Sequence, residues 1–221
     1  MSNKQGTKSR ILDAAERLFA ERGFADTSLR LITSKAEVNL ASVNYHFGSK
    51  KELIQAVLAR YLDQFMPASE AALSALENQP GLTVHEIFDT LVQPLLSLDE
   101  LRHRGSSIFL QLLGRGYIES QGHLRWFVTT HYGKPLELIV KLIHQVDNDI
   151  DDAELFWRLH FTLGTVVFTM ASFEALNDIA HADFEQDNNV ESVIKRLIPY
   201  VAAGVVAPAP QLSGTKIKEV S

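Results

Sequence analysis

At 221 residues, with 46% hydrophobic and 22% charged content, the chain is long enough to bury a real core and too apolar to be disordered. It has no cysteine and no run of 18 apolar residues, which excludes disulfides, thiolate zinc sites and a membrane span read from hydropathy. Net charge is −6 overall, yet residues 1–60 carry ten Lys and Arg against six Asp and Glu, and the remainder eleven against twenty-one. A basic N-terminal quarter on an acidic body fits local contact with phosphate, with the rest held away from it. The opening MSNKQGTKSR is too polar for a secretory signal, so a cytoplasmic location is expected.

The first helix is expected over Thr7 to Arg22. Ile11, Leu12, Ala15, Leu18 and Phe19 share one face, Thr7 caps the start and Gly23 supplies a left-handed end. Thr27 or Ser28 opens a second helix that turns Leu29, Ile32 and Ala36 inward. Asn39 caps a third, Leu40 to Phe47, which buries Leu40 or Val43 together with Phe47. Its other residues, Ala41, Ser42, Asn44, Tyr45 and His46, crowd polar and aromatic groups onto a short exposed element. That pattern reads as a recognition helix entering the DNA major groove. Gly48 ends it, and Ser49 with Glu52 forms a capping box for a long helix that runs to the mid-70s and bends at Pro67.

Downstream the period stays helical. The expected helices are Thr83 to Leu98, interrupted at Pro94, and Asp99 or Glu100 to Arg115, ending in Gly114-Arg115-Gly116. Ser120 to His131 and Pro135 to Val146 follow as two helices or one broken helix, then Asp151 to Asn177, and Asn189 to Val206 kinked at Pro199. From Pro208 the composition reads as a disordered tail. Asp151 to Asn177 is apolar nearly all round, which demands burial on two sides. One stripe is Leu159, Leu163, Val166, Met170 and Phe173; a second, of Arg158, Thr162, Thr165, Thr169 and Ser172, would let a partner helix approach. Val193, Ile194, Leu197, Val201 and Val205 supply a matching face for a dimer seam. There is no HExxH, nucleophile elbow or phosphate loop. The run Asp147 to Asp152 lacks the glycine and the terminal glutamate of a calcium loop, so neither an enzyme nor a metal site is expected.

At Gly23-Phe24, Thr27-Ser28, Ile32, Ala36, Val38, Tyr45-His46-Phe47 and Ser49-Lys50-Lys51-Glu52-Leu53 the sequence resembles the TetR family of bacterial transcriptional regulators. The resemblance runs without gaps from residue 8 to about 58, and within the family it is nearest the PsrA-type regulators of fatty-acid degradation. It implies an all-α chain: a three-helix helix-turn-helix DNA-binding domain (1–58), then a helical-bundle domain (59–207) for ligand binding and dimerisation, then the tail (208–221). It further implies a homodimeric repressor on palindromic double-stranded operator DNA, with no cofactor and no membrane partner. A long-chain fatty acid or fatty acyl-CoA would release it, and a drug-like or aromatic effector is the alternative.

The positions matching DNA contacts divide by chemistry. Thr27, Ser28, Arg30, Tyr45, His46, Lys50 and Lys51 are candidates for phosphate, and Ala41, Ser42 and Asn44 for base edges. Glu37 stands where family members usually have glycine. In the body no motif carries over. Phe109 and Trp126 are candidate apolar lining, and Arg115, Arg125 or Arg158 could meet an acidic head group.

Overall fold

The computed structural model describes residues 2–119 and 122–209, and all of its regular structure is helical. The helices are α1 (Ser2–Arg22), α2 (Leu29–Ala36), α3 (Leu40–Phe47), α4 (Lys50–Ser74), α5 (Val84–Thr90), α6 (Val92–Leu96), α7 (Leu98–Leu101), α8 (Gly105–Ile118), α9 (Gly122–Val146), α10 (Asp152–Ala171), α11 (Phe173–Phe184) and α12 (Val190–Val205). The expected tail lies outside the described residues from position 210 onward.

Helix starts fall where side-chain caps predict them. Ser28, Asn39, Ser49, Thr83 and Asn189 each accept a hydrogen bond from a backbone N–H of the first turn, satisfying a donor that has no partner within the helix. Thr83 and Asn189 complete capping boxes. At Ser49 the serine half forms with Glu52 N–H at 3.2 Å, and the Glu52 carboxylate lies instead against Gly48. Gly23 (φ +86°) ends α1 as expected, but α1 begins at Ser2, so Thr7 sits inside the helix and not at its cap.

The sequence misplaces several breaks. The expected Asp99–Arg115 helix is interrupted over residues 102–104, and α8 runs straight through Gly114 and Gly116. Gly114 is needed for proximity: a Cβ there would stand 2.4 Å from Val167 Cγ1, so α8 lies hard against α10. The stretch from Asp151 to Asn177 is two helices, bent by 71° at Ser172. No single described helix is long and apolar enough to cross a membrane. Pro67 and Pro199 fall inside continuous helices, and α9 takes its kink at Tyr132 (φ −135°).

One buried cluster runs from Ile11, Phe19, Ile32, Val43 and Phe47 through Val57, Tyr61 and Leu62 to Phe109, Leu112, Leu124 and Ile198. The N-terminal helices and the near half of the body therefore share a core, and α4 crosses position 58 without interruption. A second cluster around Leu73, Ile87, Leu142, Leu155 and Val205 fills the far end.

Candidate nucleic-acid interface

The recognition helix is positioned from below by apolar packing and from both ends by caps. Val43 is fully buried and Phe47 nearly so, which fixes the rotation of α3 on the core. Asn39 Oδ1 accepts from both the backbone N–H and the hydroxyl of Ser42, each at 2.9 Å. Glu37 takes a left-handed conformation (φ 53°, ψ 48°) that makes the corner between α2 and α3. With that rotation Ala41, Asn44 and Tyr45 point to solvent, Tyr45 with 70% of its surface exposed. Tyr45 packs edge-on against the half-buried His46 at 5.1 Å between ring centres.

Not every expected contact residue joins this surface. Thr27 is fully buried, and its hydroxyl donates to Gly23 O at 2.8 Å and Leu18 O at 3.1 Å. It caps the carboxyl end of α1 and is withdrawn from DNA, a correction to its assignment as a phosphate contact. Ser42 spends its hydroxyl donor on Asn39, leaving acceptor capacity only. Ser28 caps α2 through Leu31 N–H at 3.1 Å while staying exposed, and Arg30 and Lys51 are exposed. Lys50 Nζ reaches Ala25 O at 3.4 Å across the base of the unit.

Two residues were missed. Leu40, expected as a possible core residue, is 42% exposed at the start of α3, which suits contact with a thymine methyl. Lys8 Nζ lies 5.9 Å from the Phe47 ring centre, bringing a cation from α1 beside α3. Leu40 was ambiguous by periodicity alone, and Lys8 needed the tertiary packing of α1 on α3.

The unit is held by the body at two places. Glu119, at the carboxyl end of α8, accepts from the backbone N–H groups of Phe24 at 2.9 Å and Ala25 at 2.6 Å, in the turn before α2. On the other side Asp13 and Glu16 of α1 meet Arg60 of α4 and Arg102 of the α7–α8 loop. Burial would raise the Asp13 pKa, but hydrogen bonds and charge from both arginines overcome it and hold the carboxyl below its usual range.

The four candidate ligand residues lie in four different neighbourhoods. Arg115 donates to Glu21 O at 3.5 Å, at the boundary between α8 and α1. Phe109 is buried between Tyr61 and Phe65. Trp126 is 60% exposed on α9. Arg158 is buried with its guanidinium already donating to Glu154 at 2.8 Å and to Val205 O at 2.5 Å. A cavity of about 210 Å³ lies elsewhere, among α10, α11 and α12, lined by Phe173, Leu176, Asn177, Val193, Arg196 and their neighbours.

The outward face of α10 also differs from expectation. Met170 and Arg158 are buried and Leu159, Leu163 and Val166 half-buried, while Ile194, Val201 and Val205 of α12 are buried within their own subunit. The stripe of α10 facing solvent is Trp157, Phe161, Gly164 and Phe168, and Tyr200 of α12 and Ile179 and Phe184 of α11 are exposed as well.

Comparison with known proteins agrees with this geometry. Residues 11–57 match the family of bacterial regulatory proteins of the tetR type, and residues 89–204 match the tetracyclin repressor-like C-terminal domain. The HTH-type transcriptional repressor KstR2 of Rhodococcus jostii is 32% identical over 109 residues, 46% of this chain and 53% of its own. The HTH-type transcriptional regulator UidR of Escherichia coli is 30% identical over 112 residues, 51% and 53% of the two chains. The chain thus spans about half the length of these curated relatives, which are transcriptional regulators and not enzymes. Among solved structures, a TetR family regulator from Marinobacter aquaeolei aligns with TM-score 0.61 at 14% identity, covering 92% of this chain and 97% of its own. A Clostridium perfringens protein described as a fatty acid metabolism regulator aligns at 0.52 and 22%, covering 90% and 100%. SmeT, the multidrug efflux pump repressor of Stenotrophomonas maltophilia, aligns at 0.54 and 21%, covering 92% and 90%. With one family pattern over the helix-turn-helix and another over more than half of the chain, this protein belongs to the TetR family of bacterial regulatory proteins.

Proposed function

We propose that the chain is a ligand-responsive repressor that binds palindromic operator DNA as a homodimer and leaves it when a long-chain fatty acid or fatty acyl-CoA occupies the body. Residues 1–58 are the DNA-binding unit and 59–207 the effector-binding and dimerisation unit. The observation that carries the DNA reading is α3. Its buried face fixes its rotation, and Ala41, Asn44 and Tyr45 stand outward on a capped, short helix of groove-entering size. Asn44 reads adenine through N6 and N7. Ala41 and Ser42 meet neighbouring base edges, and Ser28, Arg30, Tyr45, His46, Lys50 and Lys51 hold phosphates.

One α3 touches too few base pairs for useful specificity, so a dyad is needed. The exposed aromatic stripe of α10, with Tyr200 of α12, supports it, since a monomer would leave that large apolar patch wet. Half-sites about 34–36 Å apart then match two copies of α3 on one face of the duplex.

The fatty-acyl effector rests on the resemblance of residues 8–58 to PsrA-type regulators, which also supports control of fatty-acid degradation genes. A second reading is favoured by one observation. The α10–α12 cavity, about 210 Å³, is below the roughly 300–1,000 Å³ that buries a drug-sized ligand, so it suits a compact aromatic effector better than an unopened acyl tunnel. An acyl chain longer than this cavity is taken up only by a conformer in which the body helices have parted, and the ligand selects that conformer. Native mass spectrometry of the purified protein separates the two. Co-purifying acyl species support the first, and an acyl-free protein stabilised by planar aromatics but by no acyl compound contradicts it.

A further inference from the structure

A closed ring of charge joins the DNA-binding helices to the body. Arg60 Nη2 lies 2.8 Å and Arg102 Nη2 2.6 Å from the same oxygen, Asp13 Oδ1. Glu16 divides its oxygens: Oε2 meets Arg60 Nη1 at 3.1 Å, and Oε1 meets Arg102 Nη1 at 2.7 Å. Each arginine thus forks across both carboxylates, and each carboxylate is shared by both arginines. Glu16 is 1% exposed, and the neighbouring hydroxyl of Tyr61 is fully enclosed beside it.

The two arginines are not equivalent in the fold. Arg60 sits on α4, which continues directly from the helix-turn-helix and packs along α1. Arg102 sits on a three-residue loop of the body, in extended conformation between α7 and α8. That loop is tightly made. Asp99 Oδ1 accepts from the N–H and the hydroxyl of Ser106, both at 2.9 Å. Any residue larger than glycine at 105 would drive its Cβ to 2.0 Å from Leu98 O. Two residues past Arg102, Arg104 donates to Glu174 of α11 at 2.6 Å. Glu174 lies beside Phe173, which lines the α10–α12 cavity. One short loop therefore holds α1 with one arginine and the bent α10–α11 corner with another.

A buried ion cluster seldom stabilises a fold more than apolar packing of the same volume would, whereas stripping a buried carboxylate of every partner is strongly unfavourable. Two arginines on one Glu16 remove that penalty from a single step: Arg102 can withdraw while Arg60 keeps Glu16 paired. A half-open arrangement with Arg102 withdrawn therefore leaves neither carboxylate without a partner, which is what a switching contact requires.

We propose that Asp13, Glu16, Arg60 and Arg102 form a releasable latch that sets the angle of the DNA-binding helices on the body, with Arg102 as the arm that lets go. The latch deepens the ligand-responsive reading above and rests on it only for what triggers release.

The chain has no cysteine, so Lys35→Cys on α2 and Glu137→Cys on α9, both exposed, accept spin labels without removing any other residue. Double electron–electron resonance is measured on the full chain, diluted with unlabelled protein so that one labelled copy is read. The wild-type background gives one narrow distance distribution. Arg102→Gln broadens or displaces it by several ångströms with helical content unchanged, Arg102→Lys lies between, and Arg60→Gln stays narrow because Arg102 still holds both carboxylates. An Arg102→Gln distribution that superimposes on wild type overturns the latch. Should Arg102→Gln fail to fold, the same superposition for Arg102→Lys overturns it. Palmitoyl-CoA added to wild type moves the distribution towards that of Arg102→Gln. Broadening in Arg102→Gln with no effect of palmitoyl-CoA upholds the latch and counts against the acyl effector alone.

Discussion

Glu37 holds its left-handed backbone at the corner between α2 and α3 without the freedom of glycine. The conformation strains an L-residue by roughly 1 kcal/mol, so Glu37→Gly raises the melting temperature by about 2–4 °C for a chain of this size; an unchanged midpoint in a calorimetric scan contradicts the strain. Asn44→Ala costs about 1–3 kcal/mol on the operator and relaxes its sequence preference, whereas Lys50→Ala weakens all DNA and lowers the salt slope by about one ion. Competition binding against random duplex at several salt concentrations tells the two behaviours apart. Asp13 adds a pH signature. Its folded pKa is depressed, so its contribution is fully present above the unfolded value of about 3.9 and is lost as pH falls through the lower folded value. The gap in melting temperature between wild type and Asp13→Asn is therefore flat at neutral pH and narrows only in acid below that range.

Among the helices, what was legible in the sequence was what local chemistry decides. Asn39, Ser49, Thr83 and Asn189 announced their helices because a cap bonds within four residues, and Leu40–Phe47 was bounded correctly on both sides. What stayed hidden depends on distant packing. Gly114 reads as a terminator but serves as a place for α10 to approach, and Ser172 gives no local sign of a 71° bend. Thr27 shows the same limit within the interface, since its hydroxyl cannot be told from a phosphate contact until α1 ends above it. The α8–α10 approach is testable. Gly114→Ala pushes a methyl into the β-branched Val167 and lowers stability by about 1–3 kcal/mol, and Val167→Ala in the same chain restores most of it; a neutral single variant in urea unfolding contradicts the close contact.

For the whole molecule, the arrangement places an outward α3 at one end, an apolar aromatic face on α10 and α12, and a shared core between them. Of the expected seam residues, Arg158, Met170, Ile194, Val201 and Val205 are buried within the chain and the other ten are half-buried; both sides of α10 are apolar, and sequence cannot say which side a partner takes. Phe161→Glu places a charge in the exposed stripe, and sedimentation velocity then shows monomers at concentrations where wild type sediments as a dimer. The most direct measurement is fluorescence anisotropy of a labelled duplex from the chain's own promoter region, titrated with protein in the presence and absence of palmitoyl-CoA. Saturation at two chains per palindrome is predicted, with affinity well above random duplex and reduced about 5–150-fold by the ligand. Equal affinity for promoter and random DNA would contradict the operator reading, and an affinity indifferent to palmitoyl-CoA would contradict the effector.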